Sequence, residues 1–193
     1  MREISLSCDG KILILSDIHY PHCDVNEVIR IIESEKPSVV VLLGDIIVDN
    51  SEYESFLNRI KESGNGEMRR VIYIRGDDDV IEGDYDILHL KTFGKDYTLL
   101  HGHQNFNEKS EYNLAKWLKK INRNIPPLLF CLAFKLLTRS FKSTLILGHS
   151  HALVYFRGLR CVNAGTLASI SNGVYHDRGY VIIDKGEVKL IKL

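Results

Sequence analysis

The sequence predicts an α/β fold in which a second β-sheet packs on a first one, with a helical insert in the second half of the chain. Strand and helix patterns alternate over the first half, which is typical of a parallel sheet with crossover helices. The second half has short strand patterns around a single helical block, which indicates a mixed or antiparallel sheet. A length of 193 residues suits one hydrophobic core, so we predict a single domain over 1–193.

The first half of the chain is predicted to hold three buried strands and two helices. An opening apolar run leads into Asp9-Gly10, a dipeptide that predicts a hairpin turn into the first buried strand. Asp24 is the expected N-cap of the first helix, because its side chain can accept a hydrogen bond from a free backbone N–H group. The predicted strands are 11–16, 39–43 and 70–75, and the predicted helices are 24–35 and 51–62.

The second half is predicted to hold short strands and a helical insert at about 108–142. Apolar residues recur at helical spacing within the insert, and Pro126-Pro127 divides it, so that Pro127 can start a second helix. From 109 to 142 there are eight basic residues and one acidic residue. The predicted strands are 86–90, 97–100, 144–147, 153–156, 160–163, 180–184 and 188–193.

The insert has two interpretations. Its apolar residues can pack on the rest of the domain or on a second copy of the chain, which makes a homo-oligomer one expectation. Alternatively, the insert forms a lid or an interfacial element beside the site. Its basic residues would then attract an anionic membrane surface, and its apolar face would contact acyl chains.

Charge and cysteine usage argue against several classes of protein. Acidic and basic residues balance at 25 each, so no overall field favours nucleic acid, and we expect no nucleic-acid partner. The four cysteines are scattered, so we expect neither a zinc knuckle nor a disulfide framework. The chain starts without a signal-peptide pattern and its longest apolar run is too short to cross a bilayer, so we predict a cytoplasmic protein.

Five predicted strands end in carboxylate or imidazole side chains. Ligands bind outside the carboxyl ends of strands in open sheets, so these side chains are expected to converge. Seven oxygen and imidazole groups fit two transition-metal ions rather than one. Two ions about 3.5–4 Å apart clamp a phosphoryl group and acidify a bridging water. The strand-end motifs are Asp17-Ile-His19, Gly44-Asp45, Gly76-Asp77, His101-Gly102 and Gly148-His149-Ser-His151.

These motifs resemble those of the calcineurin-like metallophosphoesterases, which follow the order D-x-H, G-D, G-N-H/C-D, H-G-x and G-H-x-H. The resemblance covers nearly the whole chain and is nearest to the small bacterial and archaeal phosphodiesterases. Their N-P-G-S stretch is similar to Asn163-Ala-Gly-Thr166 here. The resemblance implies a two-sheet, mixed β-sandwich flanked by helices. The insert is similar in place to that of the UDP-diacylglucosamine pyrophosphohydrolases, but other motif residues of those enzymes are missing, so their substrate is not assigned.

The resemblance also implies a metal site with assigned ligands. It would hold two divalent transition-metal ions, with Mn²⁺ expected and Ni²⁺, Zn²⁺ or Fe as alternatives. Asp45 would bridge the two ions. The first ion would take Asp17, His19, Asp45 and His151, and the second would take Asp45, Asp77, His101 and His149.

Two further residues are candidates for catalysis. Asp78 stands where many members have a His that protonates the leaving group or holds the phosphate, and where the small bacterial phosphodiesterases have Cys. His103 follows a ligand position and is expected beside the metal ions rather than bound to them. Asp77 replaces the usual metal-binding Asn, and the added negative charge favours monoanionic diesters or a harder, more highly charged metal ion.

The sequence therefore predicts a metal-dependent hydrolase of a phosphodiester or pyrophosphate bond, acting on a phosphodiester or nucleotide-linked small molecule. A metal-bridging hydroxide would attack phosphorus, and the alcohol would leave on the opposite side. The alternatives are a phosphomonoesterase or nucleotidase with the same site, a nuclease, and a non-catalytic binding module, as a retromer subunit of this fold is. The full set of ligand-type residues disfavours the last of these.

Overall fold

Two β-sheets and four α-helices make up the part of the chain that the computed structural model describes. That part is residues 1–49, 53–62, 70–103, 108–171 and 173–193, with the backbone alone at 108–112. The helices are α1 (Val25–Glu35), α2 (Tyr53–Glu62), α3 (Glu108–Ile121) and α4 (Ile125–Leu137). The strands are β1 (Glu3–Ser7), β2 (Ile12–Leu15), β3 (Val39–Leu43), β4 (Arg70–Ile74), β5 (Ile87–Thr92), β6 (Lys95–Leu100), β7 (Thr144–Leu147), β8 (Leu153–Phe156), β9 (Cys161–Ala164), β10 (Gly179–Asp184) and β11 (Glu187–Lys192).

The first sheet has five strands in the order β11-β10-β2-β3-β4. Strands β2, β3 and β4 run parallel, which confirms the alternating pattern of the first half. Every residue of β2 and β3 is buried, as expected for parallel strands covered on both faces. Helix α1 begins after Asp24, whose carboxylate accepts hydrogen bonds from Asn26 N and Glu27 N, so the predicted N-cap is confirmed.

The second sheet has six strands in the order β1-β5-β6-β7-β9-β8 and is mixed, as predicted. The predicted hairpin at Asp9-Gly10 is wrong, because β1 pairs in parallel with β5 while β2 lies in the other sheet. A Cβ atom on Gly10 would lie 2.3 Å from Ser38 Oγ, so the glycine permits a close backbone approach. The Asp9 carboxylate accepts a hydrogen bond from Phe93 N in the turn between β5 and β6.

The molecule has four layers, in which the two sheets face each other and helices cover their outer faces. The core between the sheets takes side chains such as Ile14 and Val41 from one sheet and Leu99 and Ile146 from the other. Helices α1 and α2 pack on the five-stranded sheet, and α4 packs on the six-stranded sheet. The sandwich flanked by helices is therefore confirmed.

The insert consists of α3 and α4, which connect β6 to β7 within the predicted range. Helix α4 begins at Ile125, two residues earlier than predicted, and both prolines lie in its first turn, where backbone N–H groups have no helical partner. Phe130 and Phe134 of α4 are buried against the six-stranded sheet. No helix in the described part of the chain is long and apolar enough to cross a membrane.

A disulfide joins Cys131 of α4 to Cys161 of β9, a pairing that the scattered cysteines did not predict. The two residues are 30 positions apart in the chain, and the packing of α4 on the sheet brings their Cα atoms to 5.9 Å. Cys8 and Cys23 are free thiols. Disulfides are rare in a reducing cytosol, and the cytoplasmic location stays a prediction.

Candidate metal centre

The ligand-type side chains converge at one end of the sandwich, where strands of both sheets end. The five-stranded sheet supplies Asp17, His19, Asp45 and Asp77 after β2, β3 and β4, and the six-stranded sheet supplies His101, His149 and His151 after β6 and β7. Five of these seven residues have a left-handed backbone, with φ between 51° and 61°. That conformation is uncommon for residues other than glycine and is concentrated at functional sites. It occurs at Asp17, His19, Asp45, His149 and His151.

The first group consists of Asp17, His19 and His151, whose ligand atoms lie within 4.8 Å of one another. His151 Nε2 is 3.1 Å from Asp17 Oδ1. The other carboxylate oxygen of Asp17 accepts hydrogen bonds from Ser16 Oγ and from His149 N. Thr166 Oγ1 donates to the carbonyl oxygen of Asp17, which fixes the backbone behind the carboxylate.

The second group consists of Asp45, Asp77, His101 and His149, again within 4.8 Å of one another. His101 Nε2 is 3.2 Å from Asp45 Oδ2 and 3.1 Å from Asp77 Oδ1, and His149 Nδ1 is 3.2 Å from Asp77 Oδ1. His101 Nδ1 donates to the carbonyl oxygen of Leu43 at 3.0 Å. In the neutral imidazole this hydrogen bond would leave the Nε2 lone pair facing the group, the arrangement that metal-binding histidines adopt.

The buried polar atoms of these groups face each other or nothing, which is the observation that tests their fit to metal ions. His19 Nε2 has no hydrogen-bond partner, whereas Asp17 Oδ1 and His101 Nε2 lie 3.1–3.2 Å from other ligand-type residues. Buried polar atoms are nearly always hydrogen-bonded in native proteins, and a metal ion satisfies a lone pair equally well. The mixture of carboxylate and imidazole suits Mn²⁺, Fe²⁺ or Zn²⁺. The residues present therefore fit two metal ions.

Charges within the metal-free site shift several pKa values. Burial raises the pKa of Asp17, but the charge of His151 and its hydrogen bond outweigh burial and hold the pKa at about 2. Burial likewise opposes the hydrogen bonds from His101 and His149 that lower the pKa of Asp77. For His101, burial is outweighed by Asp45 and Asp77, which raise its pKa well above the ordinary value. Carboxylates and imidazoles thus stabilise each other's charged forms when metal is absent.

Glycines allow the ligand loops to approach each other. A Cβ atom on Gly76 would lie 2.1 Å from Asp45 Oδ1, and one on Gly44 would lie 2.3 Å from His101 Nδ1. Gly44 also has a φ of +76°, which favours glycine over any other residue. The glycines that precede the aspartates therefore have a packing role as well as a conformational one.

Asp79 has a clear structural role, which the sequence did not reveal. Its carboxylate, 8% exposed, accepts hydrogen bonds from the backbone N–H groups of Asp45, Ile46, Ile47 and Gly76 and from Tyr73 Oη. Burial, and then the charge of Asp79, raise the pKa of Tyr73 well above its usual value, so the hydroxyl stays a donor. Asp79 therefore clamps the loop that carries Asp45. The sequence signals were its place in a run of three aspartates and its match to the last residue of the G-N-H/C-D motif.

The two candidate catalytic residues occupy different positions. Asp78 lines the cavity beside the ligand groups, and its backbone N–H donates to Asp45 Oδ1 at 3.0 Å. His103 lies behind Asp77, with Nδ1 3.9 Å from Asp77 Oδ1. Burial and the positive charge of His101 lower the pKa of His103. Both roles stay predictions, and of the two residues Asp78 is the one that lines the cavity.

A cavity of about 740 Å³ opens over the ligand groups. Its floor includes His19, Asp45, Asp77, His149 and His151, and its opposite wall is built by the insert. The wall is mostly apolar, with side chains from both α3 and α4 and with Asn113 as a polar member. The site is thus a polar, ligand-bearing floor beneath an apolar wall.

A comparison with protein families shows which family has this arrangement. The model of the calcineurin-like phosphoesterase superfamily domain matches residues 11–186. The chain belongs to this superfamily. The match spans all five strand-end motifs, so this phosphoesterase domain carries the whole candidate centre. A search of curated proteins finds no sequence that matches the chain.

Several solved structures share the fold of this calcineurin-like domain. An archaeal phosphodiesterase is 19% identical with a TM-score of 0.58, and the match covers 95% of this chain and 99% of the other. YfcE, a phosphoesterase from E. coli, is 17% identical with a TM-score of 0.56, covering 94% and 92%. Vps29 from Entamoeba histolytica in complex with Zn²⁺ is 17% identical with a TM-score of 0.56, covering 95% and 98%. Identities this low show the fold alone.

Proposed function

We propose that this calcineurin-like domain is a dinuclear metal-dependent hydrolase of a phosphodiester or pyrophosphate bond. The observation that carries the proposal is the pair of adjacent, buried groups of ligand-type residues, in which His19 Nε2 has no hydrogen-bond partner. A purely structural cluster would pair that nitrogen, because unpaired buried polar atoms are costly. Membership of a phosphoesterase superfamily also supports hydrolysis of a phosphate ester.

Each residue has a role in the proposal. The first metal ion would be held by Asp17, His19 and His151, and the second by Asp45, Asp77, His101 and His149. Asp45 would also reach the first ion. When bound, the two ions would supply an acidified water as nucleophile and neutralise charge on the phosphoryl oxygens. Asp78 faces the substrate space and in its protonated form is placed to give a proton to the leaving oxygen.

The substrate preference follows from charge. Asp77 adds a carboxylate, so that with Asp17 and Asp45 the site brings three negative charges to the metal ions. A centre with less net positive charge attracts a dianionic monoester less strongly than an Asn-containing centre would. We therefore propose that monoanionic diesters are preferred and that Mn²⁺ is the working metal, with Ni²⁺, Zn²⁺ and Fe as the alternatives to compare.

Metal stoichiometry is the first test. Reconstitution with Mn²⁺ should load close to two ions per chain, and His149→Ala should remove about one of them. His89 on β5 is the matched control, because its imidazole is exposed and pairs with Glu3 rather than with the centre. His89→Ala should keep both ions. A wild-type stoichiometry that stays at one or zero would contradict the dinuclear proposal.

Turnover is the second test. A screen of Mn²⁺, Ni²⁺, Zn²⁺, Fe²⁺ and Mg²⁺ against matched aryl diester and monoester substrates should give the higher kcat/KM with the diester. Asp77→Asn should shift the ratio toward the monoester by about tenfold, or about 1.4 kcal/mol of transition-state stabilisation. A wild-type monoester preference of that size would favour a phosphomonoesterase or nucleotidase instead.

A non-catalytic binding module is the second candidate function, because the structural neighbours include Vps29. It makes a distinct prediction, namely that metal loads to full stoichiometry while neither diester nor monoester is turned over with any of the five metals. Turnover that is lost together with one metal ion in His149→Ala would exclude this candidate.

A further inference from the structure

The cavity over the ligand groups is lined on one side by the insert, and this wall is mostly apolar. Leu114 and Leu118 of α3 line it together with Phe130 and Ala133 of α4, and Asn113 of α3 is a polar side chain in the same wall. Among the described residues that line the cavity there is no Lys or Arg. A polar substituent would lose water against the leucine, proline and phenylalanine side chains of this wall without gaining hydrogen bonds from them, which costs free energy. The wall therefore suits a substrate with an apolar group next to its phosphoryl group.

The outer surface of the insert is also apolar. Leu114, Trp117 and Ile121 follow the spacing i, i+3, i+7 on α3 and are 57–62% exposed. The residues of α4 with the same spacing and partial exposure are Leu129, Leu132 and Leu136. We call these six residues the insert stripe. Exposed apolar patches on this scale mark interaction surfaces.

The insert stripe is continuous with the cavity wall. Leu114 and Leu129 both line the cavity, and both are about half exposed. An apolar chain can therefore pass from the outer surface to the metal centre along side chains of the same kind. A protein partner would cover the stripe, but it would make no use of this connection.

The charge of the insert is predominantly basic. Every charged residue from 113 to 142 is basic, whereas Glu108 and Glu111 lie in the first turns of α3. Lys120 and Arg139 are exposed, whereas Lys119 donates to the carbonyl oxygen of Val174 and Arg123 pairs with Asp177. Basic residues that flank an apolar helix face are the pattern of helices that lie on anionic bilayers.

From this geometry we infer that the substrate is a lipid phosphodiester, presented by an anionic bilayer on which the insert stripe rests. The inference rests on the proposed function and names its substrate class. The apolar substituent lies against the wall formed by α3 and α4. The phosphoryl group lies over the ligand groups, where one of its ester bonds is hydrolysed by water to give a phosphomonoester and an alcohol.

Vesicle flotation tests the docking surface. The Mn²⁺-loaded chain should float with vesicles of phosphatidylcholine and phosphatidylglycerol at 3:1, and binding should weaken as salt rises, because exposed charge attraction is screened. Trp117→Gln combined with Leu136→Gln should weaken binding at least about tenfold, since two large apolar side chains no longer enter the lipid. Phe93→Gln is the matched control, because Phe93 is 46% exposed on a turn away from the insert. Melting temperature and metal content check that each variant is folded.

A chain-length series tests the cavity wall. The substrates are p-nitrophenyl alkyl phosphates from methyl to octyl, all used below their critical micelle concentrations. If the alkyl group lies against the apolar wall, kcat/KM should rise at least about 100-fold across the series, since each added methylene is removed from water. A flat series would overturn the substrate class.

The outcomes separate this inference from the proposed function. Turnover of the methyl ester with two bound Mn²⁺ ions, together with a flat series and no flotation, would refute the lipid inference alone. Absence of turnover on every ester in the metal-loaded chain would refute the proposed function, and flotation would then be judged separately. A chain that does not float, and that forms a dimer which Trp117→Gln/Leu136→Gln dissociates, would show that the insert stripe binds a second copy.

Discussion

The clamp formed by Asp79 gives a prediction whose size can be worked out from the structure. In Asp79→Asn the amide oxygen can accept only the hydrogen bonds of one of the two carboxylate oxygens. The NH₂ group replaces the other oxygen and then points at backbone N–H groups. In the better orientation the bonds from Asp45 N and Gly76 N are lost, at 3.1 and 2.7 Å in the wild type. Hydrogen bonds to a charged acceptor contribute about 1.5–3 kcal/mol each. The substitution should therefore cost roughly 3 kcal/mol or more in the free energy of unfolding.

Urea titration of the chelator-treated chain measures this cost without a contribution from metal. Asp96→Asn is the control, because Asp96 is an exposed carboxylate on β6, and its change should stay within about 0.5 kcal/mol. Mn²⁺ affinity should also fall about tenfold or more in Asp79→Asn, since the loop that carries Asp45 is less well held. A loss of less than about 1 kcal/mol with unchanged Mn²⁺ affinity would refute the clamp.

Three further predictions concern stability. The free energy of unfolding of the metal-free chain should fall by about 2 kcal/mol as pH falls from about 4 to about 2. The reason is that the lowered pKa of Asp17 stabilises the fold above its unfolded pKa of 3.8, and protonation removes this stabilisation. Urea titrations at several pH values should show that Asp17→Asn abolishes this part of the acid sensitivity. Gly44→Ala should cost several kcal/mol more than Gly94→Ala, because both glycines have positive φ but a Cβ atom collides with His101 only at Gly44; similar melting temperatures would contradict this. Reduction of the disulfide should lower the free energy of unfolding by about 3–4 kcal/mol, the loop-closure value for a separation of 30 residues, and an unchanged urea midpoint in dithiothreitol would contradict it.

The strands of the site could be predicted from sequence because each is a short apolar run bounded by residues that disfavour a strand, such as proline and glycine. Strand β3 matches its predicted range, since Pro37 precedes the run and Gly44 follows it. The convergence of the ligand residues was also predictable, because parallel strands place their carboxyl ends at one edge. The predicted start of α4 was less accurate. Prolines are tolerated anywhere in the first turn of a helix, so Pro126 and Pro127 do not fix the first helical residue.

The remaining features depend on tertiary packing that no local pattern shows. Asp9-Gly10 has the composition of a hairpin turn, but the strand before it pairs with β5 in the six-stranded sheet, while the strand after it joins the other sheet. Cys131 and Cys161 are brought together by α4 on the six-stranded sheet, and their spacing carries no signal. Asp79 accepts hydrogen bonds from backbone N–H groups, and any carboxylate in the run of three could have done so.

The division of the ligand residues between the two sheets has a kinetic consequence. All three carboxylates follow strands of the five-stranded sheet, whereas His101, His149 and His151 follow strands of the six-stranded sheet. Neither sheet alone therefore carries a complete set of metal ligands, and tight metal binding needs both sheets packed together. Metal capture should be among the last events of refolding, and a bound ion should slow the separation of the sheets as a cross-link would. The metal centre would then hold the two sheets together as well as carry the chemistry. Removal of the metal by a chelator should therefore raise the unfolding rate more than it changes the refolding rate.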